Sequence, residues 1–235
     1  MSARKNDGLK RSAMTLVELL LVVFVIALLV AMLLPMSPRR GHPPKIVQAK
    51  VQMDSLATAV KAYESEYQHL PLADSATNED VTCGVSSADI IDFKKVDGTR
   101  LIATNSDLVI VLMDFDFGVN AGHKLNPKQI QFLNAKMVVD TNSSGVSTVD
   151  HQYRDPWGKP FVISLDANQD GFVRDAFYAN SVLFKNQVPT PLTNNNSVYE
   201  YHGKVMIWSR GSDGKASMSV DANSGVNKDN VVSWQ

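Results

Sequence analysis

Ala13-Met14-Thr15-Leu16-Val17-Glu18-Leu19-Leu20-Leu21-Val22-Val23-Phe24-Val25-Ile26-Ala27-Leu28-Leu29-Val30-Ala31-Met32-Leu33-Leu34-Pro35 is the stretch on which the reading of this chain turns. A single acid, Glu18, stands at the edge of a long apolar run. From Met14 to Met36 the stretch is about as long as the ~20 residues a helix needs to cross a bilayer. A carboxylate at membrane depth costs a few kcal/mol or more and is normally retained for a purpose. Before it, Arg4, Lys5, Lys10 and Arg11 face one acid, Asp7, and this basic bias holds an N-terminus on the cytoplasmic side.

Three readings fit this arrangement. A signal peptide has a basic start and an apolar core, but a small-residue cut site is then expected beyond the core. The residues that follow are Leu33-Leu34-Pro35-Met36-Ser37-Pro38-Arg39-Arg40-Gly41, with no Ala-x-Ala-like triplet. A plain anchor has no need of Glu18. The third reading gives Glu18 a role of its own.

Ala13-Met14-Thr15-Leu16-Val17-Glu18-Leu19-Leu20 resembles the cleavage and methylation signal of type IV prepilins and type II secretion pseudopilins. The family signal is a small residue, usually Gly, a hydrophobic residue, then Thr-Leu-Ile/Val-Glu. The resemblance implies that a prepilin peptidase cuts between Ala13 and Met14 and methylates Met14. It places Glu18 fifth in the mature chain and Pro35 where many members have a helix-weakening proline. This chain departs from the pattern in having Ala13 for Gly and Met14 for Phe. The implied role of Glu18 is to pair with the freed amino group of Met14 in a neighbouring subunit, since a buried charge is tolerable when paired. Pro35 removes one backbone hydrogen bond from the helix.

The implied fold is α+β and pilin-like: a long N-terminal helix, half in the membrane and half amphipathic, packed on a small antiparallel β-sheet. The expected organisation is a leader at 1–13, a membrane or filament-core helix at 14–36, an amphipathic helix at 37–71, an insertion with short helices at 72–150, and a β-sheet with its closing loop at 151–235. In the amphipathic segment, Val47, Met53, Leu56, Val60, Tyr63 and Tyr67 recur at intervals near three and four. Ser37 to Pro44 holds three prolines and a glycine, a flaw in the middle of the rod. Leu70-Pro71 is expected to end it.

In the middle region, Ser106 to Phe115 reads as a short helix capped by Asn105 or Ser106, with a buried strand as the alternative. Asn126-Pro127 is expected to start a second helix running to about Ala135, with Pro127 in its first turn. Further on, Asp155-Pro156-Trp157-Gly158 reads as a turn. Strands follow at Pro160 to Leu165 and at Lys204 to Ser209.

Two acidic loops attract attention as cation sites. Asp166-Ala167-Asn168-Gln169-Asp170-Gly171 matches the opening of an EF-hand loop. Its twelfth position is Phe177, where a bidentate Glu is needed, so a tight turn between strands is the preferred reading. The second loop is Ser209-Arg210-Gly211-Ser212-Asp213-Gly214, completed by Asn227-Lys228-Asp229-Asn230-Val231 and Ser233-Trp234. With the upstream Asp155-Pro156-Trp157-Gly158-Lys159-Pro160-Phe161, it is similar to the end of the type II secretion major pseudopilin. That resemblance implies Ca2+ held by Asp213 and Asp229. The alternative is a solvated loop pinned by Trp234.

Other function classes have little support. The net charge is −1, so no basic excess points to nucleic acid. Cys83 is the only cysteine, which excludes an intramolecular disulfide. His42, His69, His123, His151 and His202 are scattered, and neither a nucleophile elbow nor a phosphate-binding loop occurs. The expectation is a non-enzymatic subunit of a pseudopilus or related filament. It would be a single-pass inner-membrane protein with its C-terminal domain in the periplasm. Its partners would be its own copies, the peptidase, minor pseudopilins and the assembly platform of the secretion system. The alternative is a membrane-anchored extracytoplasmic binding protein whose helix is only a tether.

Overall fold

The computed structural model describes residues 15–33, 44–73, 78–184, 192–195 and 198–234. Ala13, Met14 and Pro35 lie outside them. The chain divides into two units, Met1–His42 and Pro43–Gln235.

The first unit contributes helix α1, Leu16–Leu33. It starts where Thr15 Oγ1 accepts the Glu18 N–H at 3.3 Å, one of the four N–H groups a helix start leaves unpaired. Among the described residues no helix is long and apolar enough to cross a membrane. The described side chains of α1 stop at Val30, short of the ~20 residues a crossing requires.

In the second unit, helix α2, Lys45–Tyr67, buries Ala49, Met53, Leu56, Ala59, Val60 and Tyr63 on one stripe. Complete burial of Met53 or Leu56 contributes about 2 kcal/mol each. The stripe differs from the expected one at its start. Ala49 is buried, whereas Ile46, Val47 and Val51 are exposed. The helix ends at Tyr67, three residues before Leu70, because Gln68 adopts a left-handed conformation at φ 59° and returns its N–H to the Glu64 carbonyl.

A five-stranded sheet carries this unit. Its strands are β1 (Asp80–Cys83), β3 (Thr99–Ile102), β7 (Val162–Leu165), β11 (Val205–Ser209) and β13 (Val231–Val232), in the order β13-β11-β7-β1-β3. β1 runs parallel to β3, and the other pairs are antiparallel. Three smaller sheets surround it: β12 (Ala216–Ser217) with β2 (Ile90–Ile91), β8 (Phe172–Val173) with β10 (Val198–His202) and β9 (Leu192–Asn195), and β4 (Met137–Val138) with β5 (Gly145–Ser147) and β6 (Tyr153–Arg154).

The expected architecture of one long helix on one small antiparallel sheet is therefore wrong. Helix α1 is 18 residues long and α2 is a separate element. The β structure of the described residues is spread over four sheets, two of them containing parallel pairs besides the parallel β2–β12 pair. The region read as an insertion supplies β1 and β3 to the main sheet. Parallel neighbours need a crossover connection, and a motif-by-motif reading of local sequence cannot see one.

Both faces of the main sheet are covered. Successive strand residues point to opposite faces. Val81, Cys83, Ile163, Leu165, Val205 and Ile207 pack with the buried stripe of α2. Helix α3, Ser106–Leu112, joins this layer through Leu108, Val109, Val111 and Leu112. Val162, Met206, Trp208 and Val232 face the other way, into a layer with Phe177, Tyr178, Phe184 and Trp234.

Two expectations about the middle region meet their physical reasons here. Asn105 stands at the start of α3, but its side chain does not cap it. It bonds instead to the Tyr153 and Phe161 carbonyls and the Tyr153 N–H, tying β6 to the start of the β7 segment. The helix expected from Pro127 to Ala135 does not form. Asn126 accepts the Ile130 N–H and donates to the Ile130 carbonyl, and Gln129 is left-handed at φ 54°. These side-chain bonds replace the backbone bonds a helix would need. The chain then runs extended, with the Leu133 N–H on the Leu112 carbonyl.

Asp175 is buried on the aromatic side of the sheet. Its Oδ1 accepts the Phe177 and Tyr178 N–H groups at 2.9 and 2.8 Å. Its Oδ2 accepts Ser164 Oγ–H at 2.6 Å and Trp208 Nε1–H at 2.9 Å. Replacing it strands buried donors at a cost of about 1–3 kcal/mol each. Asp175→Ala is expected to lower unfolding stability by roughly 4 kcal/mol in denaturant titration, and Asp175→Asn by about half of that. A loss under about 1 kcal/mol for the alanine variant would mean that the network is not structural.

Candidate functional site

Helix α1 has no polar face. Every large apolar side chain from Leu16 to Val30 is at least 45% exposed, with Leu16 at 79%, Leu20 at 63% and Phe24 at 61%. Glu18 is the one charge among them. A helix apolar all round belongs in a core or a membrane rather than in water, and a contiguous exposed apolar surface marks an interaction site. The arrangement can associate with lipid or with other apolar helices, and it places a single carboxylate in the first turn. Ala13, Met14 and Pro35 cannot be positioned relative to Glu18, because they lie outside the described residues.

The tail loop is a second candidate, within the globular unit. Asp213 and Asp229, far apart in sequence, are brought together. Asp229 Oδ2 accepts the Ser212 N–H at 2.6 Å, the Ser212 hydroxyl at 2.6 Å and the Asp213 N–H at 3.0 Å. Burial pushes the Asp229 pKa up, but the donors from Ser212 and Asp213 outweigh it and the net direction is down. Asp213 Oδ1 accepts the Lys215 N–H at 2.8 Å. Gly211 is left-handed at φ +62°, and a Cβ there would lie 2.0 Å from the Asp229 carbonyl oxygen. Asp229 thus closes the loop through these hydrogen bonds. Among the described residues, no three acidic, histidine or cysteine side chains stand as a ready ligand set.

The structure joins two motifs that are far apart in the sequence. Asp155, in the Asp155-Pro156-Trp157-Gly158 turn, accepts the Trp157 and Lys159 N–H groups through Oδ1. Its Oδ2 accepts the Ser209 hydroxyl. Ser209 Oγ in turn accepts the Gly211 N–H at 3.0 Å. Burial holds the Asp155 carboxyl above its usual pKa, against these donors and the charge of Arg210. Sequence reasoning saw both motifs, but it missed Asp155 and Ser209 as their link. An Asp directly before a turn Pro was the available signal.

Trp234 is buried, edge-on to Tyr178 with ring centroids 5.0 Å apart, which anchors the end of the loop. Asp114 and Asp116 flank His123, with Nδ1 2.7 Å from Asp114 Oδ1 and Nε2 3.8 Å from Asp116 Oδ2. Cys83 is buried in the sheet, and burial pushes its thiol up to about 12.

Gly211→Ala is expected to cost at least about 2 kcal/mol, because it adds a collision to left-handed strain. Gly171→Ala, at φ +88° with nothing within 4 Å of the new Cβ, bears the strain alone and is expected to cost about 1 kcal/mol. Equal costs in thermal unfolding would remove the Gly211–Asp229 contact as the reason.

Compared with known proteins, the chain matches no family model, no curated protein and no solved structure.

Proposed function

We propose that this chain is a structural subunit of a type II secretion pseudopilus or a related type IV pilus-like filament. The observation that carries the reading is α1: apolar on every side, exposed along its described length, with one carboxylate in its first turn. A simple tether has no use for that carboxylate, which raises the cost of insertion. A polymer does, if a neighbouring copy brings the amino group of Met14 to it.

In this reading prepilin peptidase cuts between Ala13 and Met14. The apolar run, which continues in the sequence to Leu34, anchors the subunit in the inner membrane with the globular unit in the periplasm. Copies then leave the membrane by packing their α1 helices together, and minor pseudopilins and the assembly platform take part. The role is mechanical and needs no catalytic group. The globular unit that rides on the filament has its own arrangement of several sheets.

The reading extends to calcium at Asp213 and Asp229. Three donors already occupy Asp229 Oδ2, so an ion would compete with them. The expected affinity is that of weak extracellular sites, roughly 10⁻⁴ to 10⁻³ M. Asp229→Asn should then bind one calcium ion fewer than wild type in calorimetry at millimolar calcium. An unchanged stoichiometry in Asp229→Asn would place the ion elsewhere.

Mass spectrometry of the protein from membranes containing prepilin peptidase tests the processing step. A chain beginning at Met14 with one added methyl group is expected, whereas a chain beginning at Met1 or beyond Leu34 would overturn the reading. Glu18→Leu is expected to stay in the membrane and to lose filament assembly. Normal assembly by that variant would reduce α1 to a tether and favour a membrane-anchored binding protein.

A further inference from the structure

The turn Asp166 to Gly171 connects β7 to β8. Its alternate side chains gather over one bend. Asp166 Oδ1 and Asn168 Oδ1 both accept the Asp170 N–H at 3.1 Å, and Asn168 Nδ2 donates to Asp170 Oδ2 at 3.0 Å. Gly171, sixth in the run, is left-handed at φ +88°, as the sharp turn of a calcium loop requires. What such a loop lacks here is the closing acid, since its twelfth position is Phe177.

The fold brings a carboxylate to this turn from another element. Asp80 opens β1 and is 1% exposed. Its Oδ2 accepts the Arg174 N–H at 2.7 Å. Its Oδ1 is buried without a hydrogen-bond partner among the described residues. The groups that face Asp80 are the carboxylates of Asp166 and Asp170 and the N–H groups of Arg174 and Asn168. Lys204 Nζ stands 3.0 Å from Asp166 Oδ2 and 3.5 Å from Glu64 Oε1. The Arg174 guanidinium pairs with Glu200. The Asp80 oxygen is left unsatisfied among the described residues beside two further carboxylates, an arrangement that costs free energy unless a cation completes it.

We propose that Asp80 stands in for the missing loop acid, and that Asp80, Asp166, Asn168 and Asp170 together bind calcium. All four offer oxygen, the donor a hard cation takes, and by position in the loop the Phe172 carbonyl would be a fifth ligand. These side chains are not yet a closed ligand set. Binding must draw Asp80 and Asp170 together, which ties the start of β1 to the β7–β8 turn. This site is distinct from Asp213 and Asp229 and does not depend on the filament reading.

Protonation is the competing way to neutralise Asp80. Burial first, then the charges of Asp166 and Asp170, push its pKa up from 3.8 to about 7. A carboxyl with a raised folded-state pKa supports the fold fully below pH 4 and loses that support as the pH climbs through 7.

The test is calcium titration of the full chain in detergent, after chelator treatment, by calorimetry and thermal unfolding at pH 7.5. Wild type and Asp229→Asn are expected to share one site that Asp80→Asn and Asp170→Asn weaken at least tenfold. Asp170 is exposed, so Asp170→Asn remains informative if Asp80→Asn does not fold. Unchanged binding in Asp170→Asn, or no binding by wild type up to about 10⁻³ M, the weak limit of extracellular calcium modules, overturns the proposal. Loss of all binding in Asp229→Asn alone would assign the ion to the tail loop instead.

Discussion

The globular unit depends on one buried carboxylate. Asp175 gathers four donors from three places: Ser164 on β7, Trp208 on β11, and the backbone of Phe177 and Tyr178. Two of these fix strands that pair directly, with Trp208 opposite Val162 and Met206 opposite Ser164. The other two hold the aromatic segment that covers this face of the sheet. Thr82 on β1 extends the network, sharing a 2.8 Å bond with Ser164 and accepting the Ala176 N–H. The polar row Thr82–Ser164–Asp175–Trp208 thus crosses strands that the apolar layers alone would leave free to slip. Hydrophobic burial is non-directional, whereas a fully satisfied buried network specifies one register. Burial holds the Asp175 carboxyl above its usual pKa while all four donors pull it down, so its environment is costly and is kept because every lone pair is used.

Asp155 repeats the device on a smaller scale at the end of the sheet. Through Ser209 it links the turn before β7 to the loop after β11. The loop after β11 is then closed by Asp229, just ahead of β13. One line of side chains therefore runs from residue 155 to residue 229 and sets the edge strand in place. The motifs at each end look independent in sequence, but in the fold they form one structure.

Local chemistry was legible in the sequence wherever a residue type forces its own geometry. The α2 stripe of Met53, Leu56, Val60 and Tyr63, the strands ending at Leu165 and Ser209, and the turns at Gly158 and Gly171 follow from periodicity and from the conformational freedom of glycine. The sequence was misread where a side chain overrides the local tendency. Asn126 binds Ile130 and prevents the helix that Pro127 invites, and Asn105 leaves its helix to hold β6 and Phe161. The parallel placement of β1 beside β3 was invisible for another reason. It is set by a contact between segments that carry no shared pattern, so the long middle region read as an insertion rather than as part of the sheet. Of the residues proposed as sites, Glu18 stands out in the sequence from the cost of its surroundings. Asp80 was not, because only the fold brings it to the Asp166 turn.

The two units meet the same physical constraint by opposite means. In the globular unit the buried carboxylates of Asp175 and Asp155 are matched by donors from their own chain, four around Asp175 and three around Asp155. In α1, Glu18 lies in an apolar helix with no cationic side chain between Leu16 and Leu33 to answer it. A charge that a chain does not neutralise internally must stay in water, take up a proton or find its partner in another molecule. Each turn of α1 beyond the first is apolar, so association that covers the helix also tends to take Glu18 out of water. The first choice is then lost as the apolar surface of α1 is covered. Between the remaining two, a partner amino group stabilises the assembled state specifically, whereas a proton stabilises any buried state. In the proposed filament only the former makes assembly depend on the identity of the neighbour, and so only there is Glu18 a selective device rather than a tolerated cost.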